Sequence, residues 1–191
     1  MRRALLAVAL LAPTLLGSAG CTAPAAEPAA PPAPAGPQLA ARPYDIPVAD
    51  IDPCALLTRP QLIELQVGRA QFSPPDGRVL QSCFWSQSID EPIENYLIGP
   101  SQGSPAGLLT FPDRNAREIT IAGFPAVEAE TLYSSDGEAC TVLVDVAPDE
   151  NLELIYSYDG TELQVTLEES CTKARRAMEL AMQTLIARDG S

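Results

Sequence analysis

The clearest pattern in the chain lies at Ala139–Ala147, where Cys140, Val142, Val144 and Val146 fall on one side and Thr141, Leu143 and Asp145 on the other. A period of two is that of a strand with one buried face. Shorter stretches of the same kind predict strands at 81–86, with Cys83 and Trp85 on one face, at 95–98, and at 152–158. Two more are predicted at 118–122 and 126–131, on either side of a bend at Gly123–Phe124–Pro125. Pro148–Asp149–Glu150–Asn151 and Ser73–Pro74–Pro75–Asp76–Gly77 read as loops. Near the end the period changes. Cys171, Ala174, Met178, Ala181 and Leu185 step by alternating threes and fours, which predicts an amphipathic helix over 168–187. A shorter helix is predicted after Thr58–Arg59–Pro60–Gln61, which has the form of a capping box with proline in the first turn. Leu62, Ile63 and Leu65 supply its apolar side and Gly68 its end. Strands between two helical stretches imply an α+β fold: a mainly antiparallel sheet with an N-terminal and a long C-terminal helix on one face.

The first residues have a different character. Met1–Arg2–Arg3 is a basic start, Ala4–Leu16 is an apolar run, and Gly17–Ser18–Ala19–Gly20 places small residues before Cys21. This is the form of a signal peptide over 1–20, too short for a spanning helix. A cysteine directly after the small residues resembles a bacterial lipobox, although Ser18 stands where that motif has Leu. The resemblance implies diacylglycerol and palmitate at Cys21 and a position on the extracytoplasmic face of the cell membrane. Residues 21–47 are rich in Pro and Ala and read as a tether favouring polyproline II, about 80 Å at full stretch. One globular domain is expected over 48–191.

With Cys21 lipidated, Cys54, Cys83, Cys140 and Cys171 remain, and four thiols in an exported domain imply two disulfides. Cys140 lies on the valine face of its strand and Cys171 on the apolar stripe of the last helix, so both point into the layer between sheet and helix. That favours Cys140–Cys171 and leaves Cys54–Cys83. There is no C-x-x-C for redox work, and the spacing matches no zinc module.

Charge and composition then narrow the chemistry. Twelve basic residues against 25 acidic give a net charge of −13, which becomes −15 once Arg2 and Arg3 leave with the signal segment. Such a balance excludes nucleic acid. Histidine is absent, which removes Ser–His–Asp and Cys–His catalysis. Asp149–Glu150, Glu168–Glu169 and Asp136–Gly137–Glu138 are the carboxylate pairs available to a wall-glycan hydrolase, and the same acids read equally as solvated loops and a helix start. Asp136 and Glu138 with Asp159 offer oxygen ligands for a cation such as calcium but lack EF-hand spacing, and no metal or cofactor is expected. Trp85 reads as packing beside a disulfide, or as a surface for a sugar ring. Tyr156 and Tyr158 share a strand face and form a half-buried aromatic strip or a ligand surface. Ala174, Ala177 and Ala181 leave room for an acyl chain or allow close helix–sheet packing.

D-P-C-A-L-L-T at Asp52–Thr58, C-x-W at Cys83–Trp85, Gly123 before the Cys140 strand and the Cys171-x-x-Ala174 helix form a combination. It resembles that of actinobacterial lipoproteins carrying a DPC/CxW domain of unknown function (DUF3558 type). More distantly, it resembles the extracellular sensor domain of mycobacterial receptor kinases. The resemblance implies an envelope location and an α+β fold, and it supplies no catalytic residue. The expectation is a monomeric, non-catalytic binding or accessory module, held to the membrane through Cys21. Its partner would be a cationic envelope protein or a wall component. The alternatives are a carboxylate enzyme on wall glycan and a lipid carrier.

Overall fold

The computed structural model describes residues 36–73, 81–87, 93–131, 139–159 and 165–190. The signal segment, Cys21, the tether up to residue 35, and Asp136–Glu138 lie outside the described residues, as does most of the predicted loop at Ser73–Gly77.

Seven strands form one antiparallel sheet: β1 (Gln71–Ser73), β2 (Ser82–Ser86), β3 (Ile93–Gln102), β4 (Arg117–Ile121), β5 (Phe124–Thr131), β6 (Ala139–Ala147) and β7 (Glu150–Asp159). Their order is β1-β2-β3-β7-β6-β5-β4. The helices are α1 (Arg59–Glu64) and α2 (Leu167–Asp189). This is the α+β architecture expected. Two tight turns join four of the strands. At Ala122–Gly123 both residues have positive φ, 49° and 88°, the conformation that matches the twist of paired strands, so Phe124 and Pro125 begin β5 and are not part of the bend. At Pro148–Asp149 the predicted four-residue loop shrinks to two residues, because Asp149 tolerates φ of 59°.

One sheet face carries the main core. Cys140, Val142, Val144 and Val146 of β6, Leu152, Leu154, Tyr156 and Tyr158 of β7, and Ile98 of β3 are buried there with Ala174, Met178, Ala181 and Leu185 of α2. The alanines let the helix lie close on the strands. Thr166 caps α2: its backbone N–H donates to Glu169 Oε2 at 2.9 Å, and Glu169 N–H donates back to Thr166 Oγ1. Gln61 fastens α1 to α2 by donating from Nε2 to the Leu180 carbonyl at 2.9 Å, while its Oε1 accepts from Thr58 N–H. Helix α1 stops earlier than predicted, since Gln66 takes the left-handed position with φ of 56° and Gly68 instead donates to Ser86 O. Ile63, placed on the apolar side by spacing alone, is 70% exposed.

The other face is not bare. Chain 103–116 crosses from β3 to the far edge strand β4 and carries a 3-10 turn, Pro105–Thr110, which sets Leu108 on Val127, Ala129 and Leu143. Leu39 joins this second cluster, so the segment read as tether up to Pro47 meets the domain before that point. Ile46 and Val48 are buried, and Ile46 N–H donates to Val146 O at 2.7 Å beside the bulge in β6.

Candidate functional site

The strands bring three aromatic residues into one row. Trp85 of β2 stands opposite Tyr96 of β3, Tyr96 opposite Tyr156 of β7, and Tyr156 opposite Cys140 of β6. The Tyr96 and Tyr156 rings meet edge to face at 5.1 Å. All lie on the side covered by α2, and their exposure is 0% for Trp85, 2% for Tyr96 and 0% for Tyr156, with Tyr158 at 4%. Of the two readings of Tyr156 and Tyr158, sheet packing holds and the ligand surface does not, and the burial is full and not half: both belong to the sealed face, because β7 sits in the middle of the sheet directly under the helix. Trp85 likewise presents no face to an outside ring. Trp85 Nε1 and the Tyr156 hydroxyl have no hydrogen-bond partner among the described residues. Burial raises both tyrosine hydroxyls well above the usual phenol range, and the nearby Glu94 charge adds to it.

A disulfide closes each end of the core. Cys54–Cys83 ties the turn before α1 to β2, with Cα atoms 4.9 Å apart, and Cys140–Cys171 ties β6 to α2 at 5.0 Å. Both are the pairs that the faces favour. Glu128 of β5 is 3% exposed beside the second bridge, and its carboxylate lies within 4.8 Å of the Cys140 and Cys171 sulfurs. With both sulfurs bonded to each other, these three groups make no metal site. Glu128 accepts from Arg117 Nε at 2.5 Å and from Arg175 Nη1 at 2.6 Å.

Of the carboxylates that sequence alone offers to catalysis, Glu150, Glu168 and Glu169 are engaged in the fold, while Asp136 and Glu138 lie outside the described residues. Glu150 Oε2 accepts the backbone N–H groups of Val48 and Ala49 at 2.6 and 3.0 Å. Glu168 bonds Arg175 and Arg117, and the Arg175 bond leads the causes holding its carboxyl below the usual range. Glu169 is lowered by the Thr166 backbone N–H and hydroxyl that it caps. Asp159 accepts from Asn95 Nδ2 at 2.7 Å. Ala174, Ala177 and Ala181 are each 0% exposed and pack as core, the second of the two readings open to them.

Two surface concavities remain beside α1. A small cleft of about 250 Å3 is lined by Glu64, Tyr96, Glu94, Lys173 and Arg176. Its charges are already matched: Lys173 bonds Glu94, and Arg176 bonds Glu64 at 2.5 Å. Lys173 also stands 5.8 Å above the Tyr156 ring. The second is a groove of about 630 Å3 between the outer side of α1 and residues 67–70, lined by Arg59, Leu62, Ile63 and Arg69 among others. Sequence reasoning passed over it, since Ile63 was counted with Leu62 and Leu65 on the apolar side of the helix. The signal available was Arg59 and Arg69 bracketing an apolar run in an otherwise acidic chain.

Neither a curated protein nor a solved structure matches the chain. A family model described as "Protein of unknown function (DUF3558)" matches residues 16–184, most of the sequence, and the chain belongs to that family.

Proposed function

We propose that this protein is a lipid-anchored lipoprotein of the cell envelope whose folded domain binds a partner without catalysing a reaction. The observation that carries the reading is the engagement of its acids. Glu128, Glu150, Glu168, Glu169 and Asp159 each hold a named donor of the domain itself. A hydrolase needs one carboxyl free to lend a proton and a second facing the same bond. In these five the charged oxygens are committed to arginines, a helix cap, a strap of backbone and the Asn95 amide. Two disulfides bracing the small core support an oxidising compartment, and the segment before Cys21 supports export and lipid attachment there. The likeness to actinobacterial lipoproteins supports the same location.

The test offers the full chain both purified wall polymer and envelope extract. Retention of a partner with no release of polymer fragments is the expected result. Release of fragments that stops on a single carboxylate-to-amide change, such as Glu150→Gln, would overturn the reading.

A further inference from the structure

The basic side chains divide into two groups. Arg42, Arg117, Lys173, Arg175 and Arg176 each bond a carboxylate of the domain, and Arg114 bonds the Glu130 carbonyl. Arg59 and Arg69 make no ion pair or side-chain hydrogen bond among the described residues, and both are exposed. They line the same groove, with Leu62, Ile63 and Val67 between them. Ile63 is 70% exposed, and Phe72, a little further along the same stretch of chain, is 61% exposed. Among the described residues of this chain of net charge −13, two cations without an internal partner therefore sit beside the most exposed apolar side chains.

The backbone adds a third element. The stretch that forms the groove wall runs directly into β1, which is the edge strand of the sheet and, among the described residues, pairs with β2 alone. An edge strand offers main-chain donors and acceptors to another extended chain.

We propose that this groove docks an extended, acidic segment of a partner protein. The segment's main chain adds to the open edge of β1, one of its apolar side chains enters beside Ile63 and Val67, and its carboxylates meet Arg59 and Arg69. The proposal deepens the binding-module reading and rests on it. A membrane fits the same surface less well, because it offers no extended peptide main chain to pair with a strand edge. A second copy fits less well too. A two-fold contact would face arginines with arginines, and the carboxylate of α1, Glu64, is held by Arg176.

The experiment selects short random peptides displayed on phage against the immobilised full chain. The expected winners alternate apolar residues with Asp or Glu, bind more weakly as salt rises, and lose about tenfold or more in affinity for R59E/R69E. The melting temperature of R59E/R69E is measured alongside, and Ile63→Ser is the second variant should the double reversal fail to fold. Basic winners, no enrichment, or winners indifferent to both variants overturn the proposal. So does binding of the chain to vesicles of equal parts phosphatidylcholine and phosphatidylglycerol that R59E/R69E abolishes, which would make the groove a membrane contact. A concentration-dependent dimer lost in R59E/R69E overturns it in favour of a second copy. Failure of the binding-module reading is distinguishable, because it registers as wall-polymer turnover, which these arginine variants leave unchanged.

Discussion

Replacing Glu128 with Ala probes the part of the fold where burial and charge are most closely set against each other. The carboxylate is 3% exposed and accepts from two guanidinium groups, Arg117 at 2.5 Å and Arg175 at 2.6 Å. Charge-assisted hydrogen bonds contribute about 1.5–3 kcal/mol when shielded from water. The Arg117 side chain is 54% exposed and rehydrates readily, so its bond counts nearer the surface value, up to about 1 kcal/mol. Arg175 is 25% exposed and keeps Glu168 as a second partner at 2.9 Å, so losing its charge-assisted bond to Glu128 adds about 2 kcal/mol and brings the total loss to about 3 kcal/mol. For a domain of this size that lowers the melting temperature by about 6–12 °C. Urea unfolding with both disulfides intact measures it directly. Glu130→Ala on the same strand is the comparison: its carboxylate meets only Asn115, at 2.8 Å, and its loss is expected to stay below about 1 kcal/mol. A double-mutant cycle of Glu128 with Arg175 isolates the pair. A Glu128→Ala loss no larger than that of Glu130→Ala, or zero coupling to Arg175, refutes the argument.

Gly99→Ala places a Cβ 2.2 Å from the Gln81 carbonyl oxygen and 2.9 Å from Ser82, backbone that cannot give way, so a loss of about 3 kcal/mol is expected by thermal unfolding. Replacing both Cys140 and Cys171 with Ala opens a loop spanning 31 residues and costs about 3–4 kcal/mol in urea titration. Glu168 and Glu169 have depressed folded values, so their contribution is complete above the unfolded carboxylate range near pH 4.3 and is lost as pH falls through the folded values beneath it. E168Q/E169Q should therefore show a shallower drop in melting temperature on acidification below about pH 4.5. Cys21→Ala should move the protein from the membrane fraction to the soluble fraction, and unchanged detergent partitioning would count against lipid attachment.

The elements that could be read from sequence are those whose periodicity is paid out over several turns or pleats. Strand β6 and helix α2 have long one-sided patterns, and both the elements and the Cys140–Cys171 bridge between them lie where the pattern puts them. Strand β3 runs from Ile93 to Gln102 where only 95–98 was expected, because Gly99 and Pro100 interrupt the pattern. Gly99 is there for a close approach to Gln81, and Pro100 lies within the paired register opposite Leu152. Strand β1 has three residues and no hydrophobic signal beyond Phe72, so its place at the sheet edge comes from tertiary pairing alone. The same limit hid the groove. In so short a helix the spacing of Leu62 and Ile63 does not say which side the long helix α2 covers, and the residues that bond α2, Gln61 and Glu64, are polar in sequence.

The chain between residues 39 and 50 changes how the acidic charge and the proposed tether work together. Arg42 bonds Asp45 and Asp145, Tyr44 stacks edge to face on Phe124 at 5.2 Å, Ala40 N–H donates to Glu118, and Glu150 gathers the Val48 and Ala49 N–H groups. Part of the negative charge that sequence alone assigns to solubility or to a cationic partner is thus spent in fastening the domain's own entry strap. The strap also shortens the reach of any anchor. If lipid is carried at Cys21, the chain from it to the first of these contacts runs to Leu39 and not to Pro47, which at the rise of polyproline II reaches about 55 Å in place of about 80 Å. A partner segment taken up at the edge of β1 must then come within that shorter radius. Loosening the strap, for instance by Arg42→Ala with Tyr44→Ala, would lengthen the reach without touching Arg59, Ile63 or Arg69, which separates how far the domain extends from what it recognises.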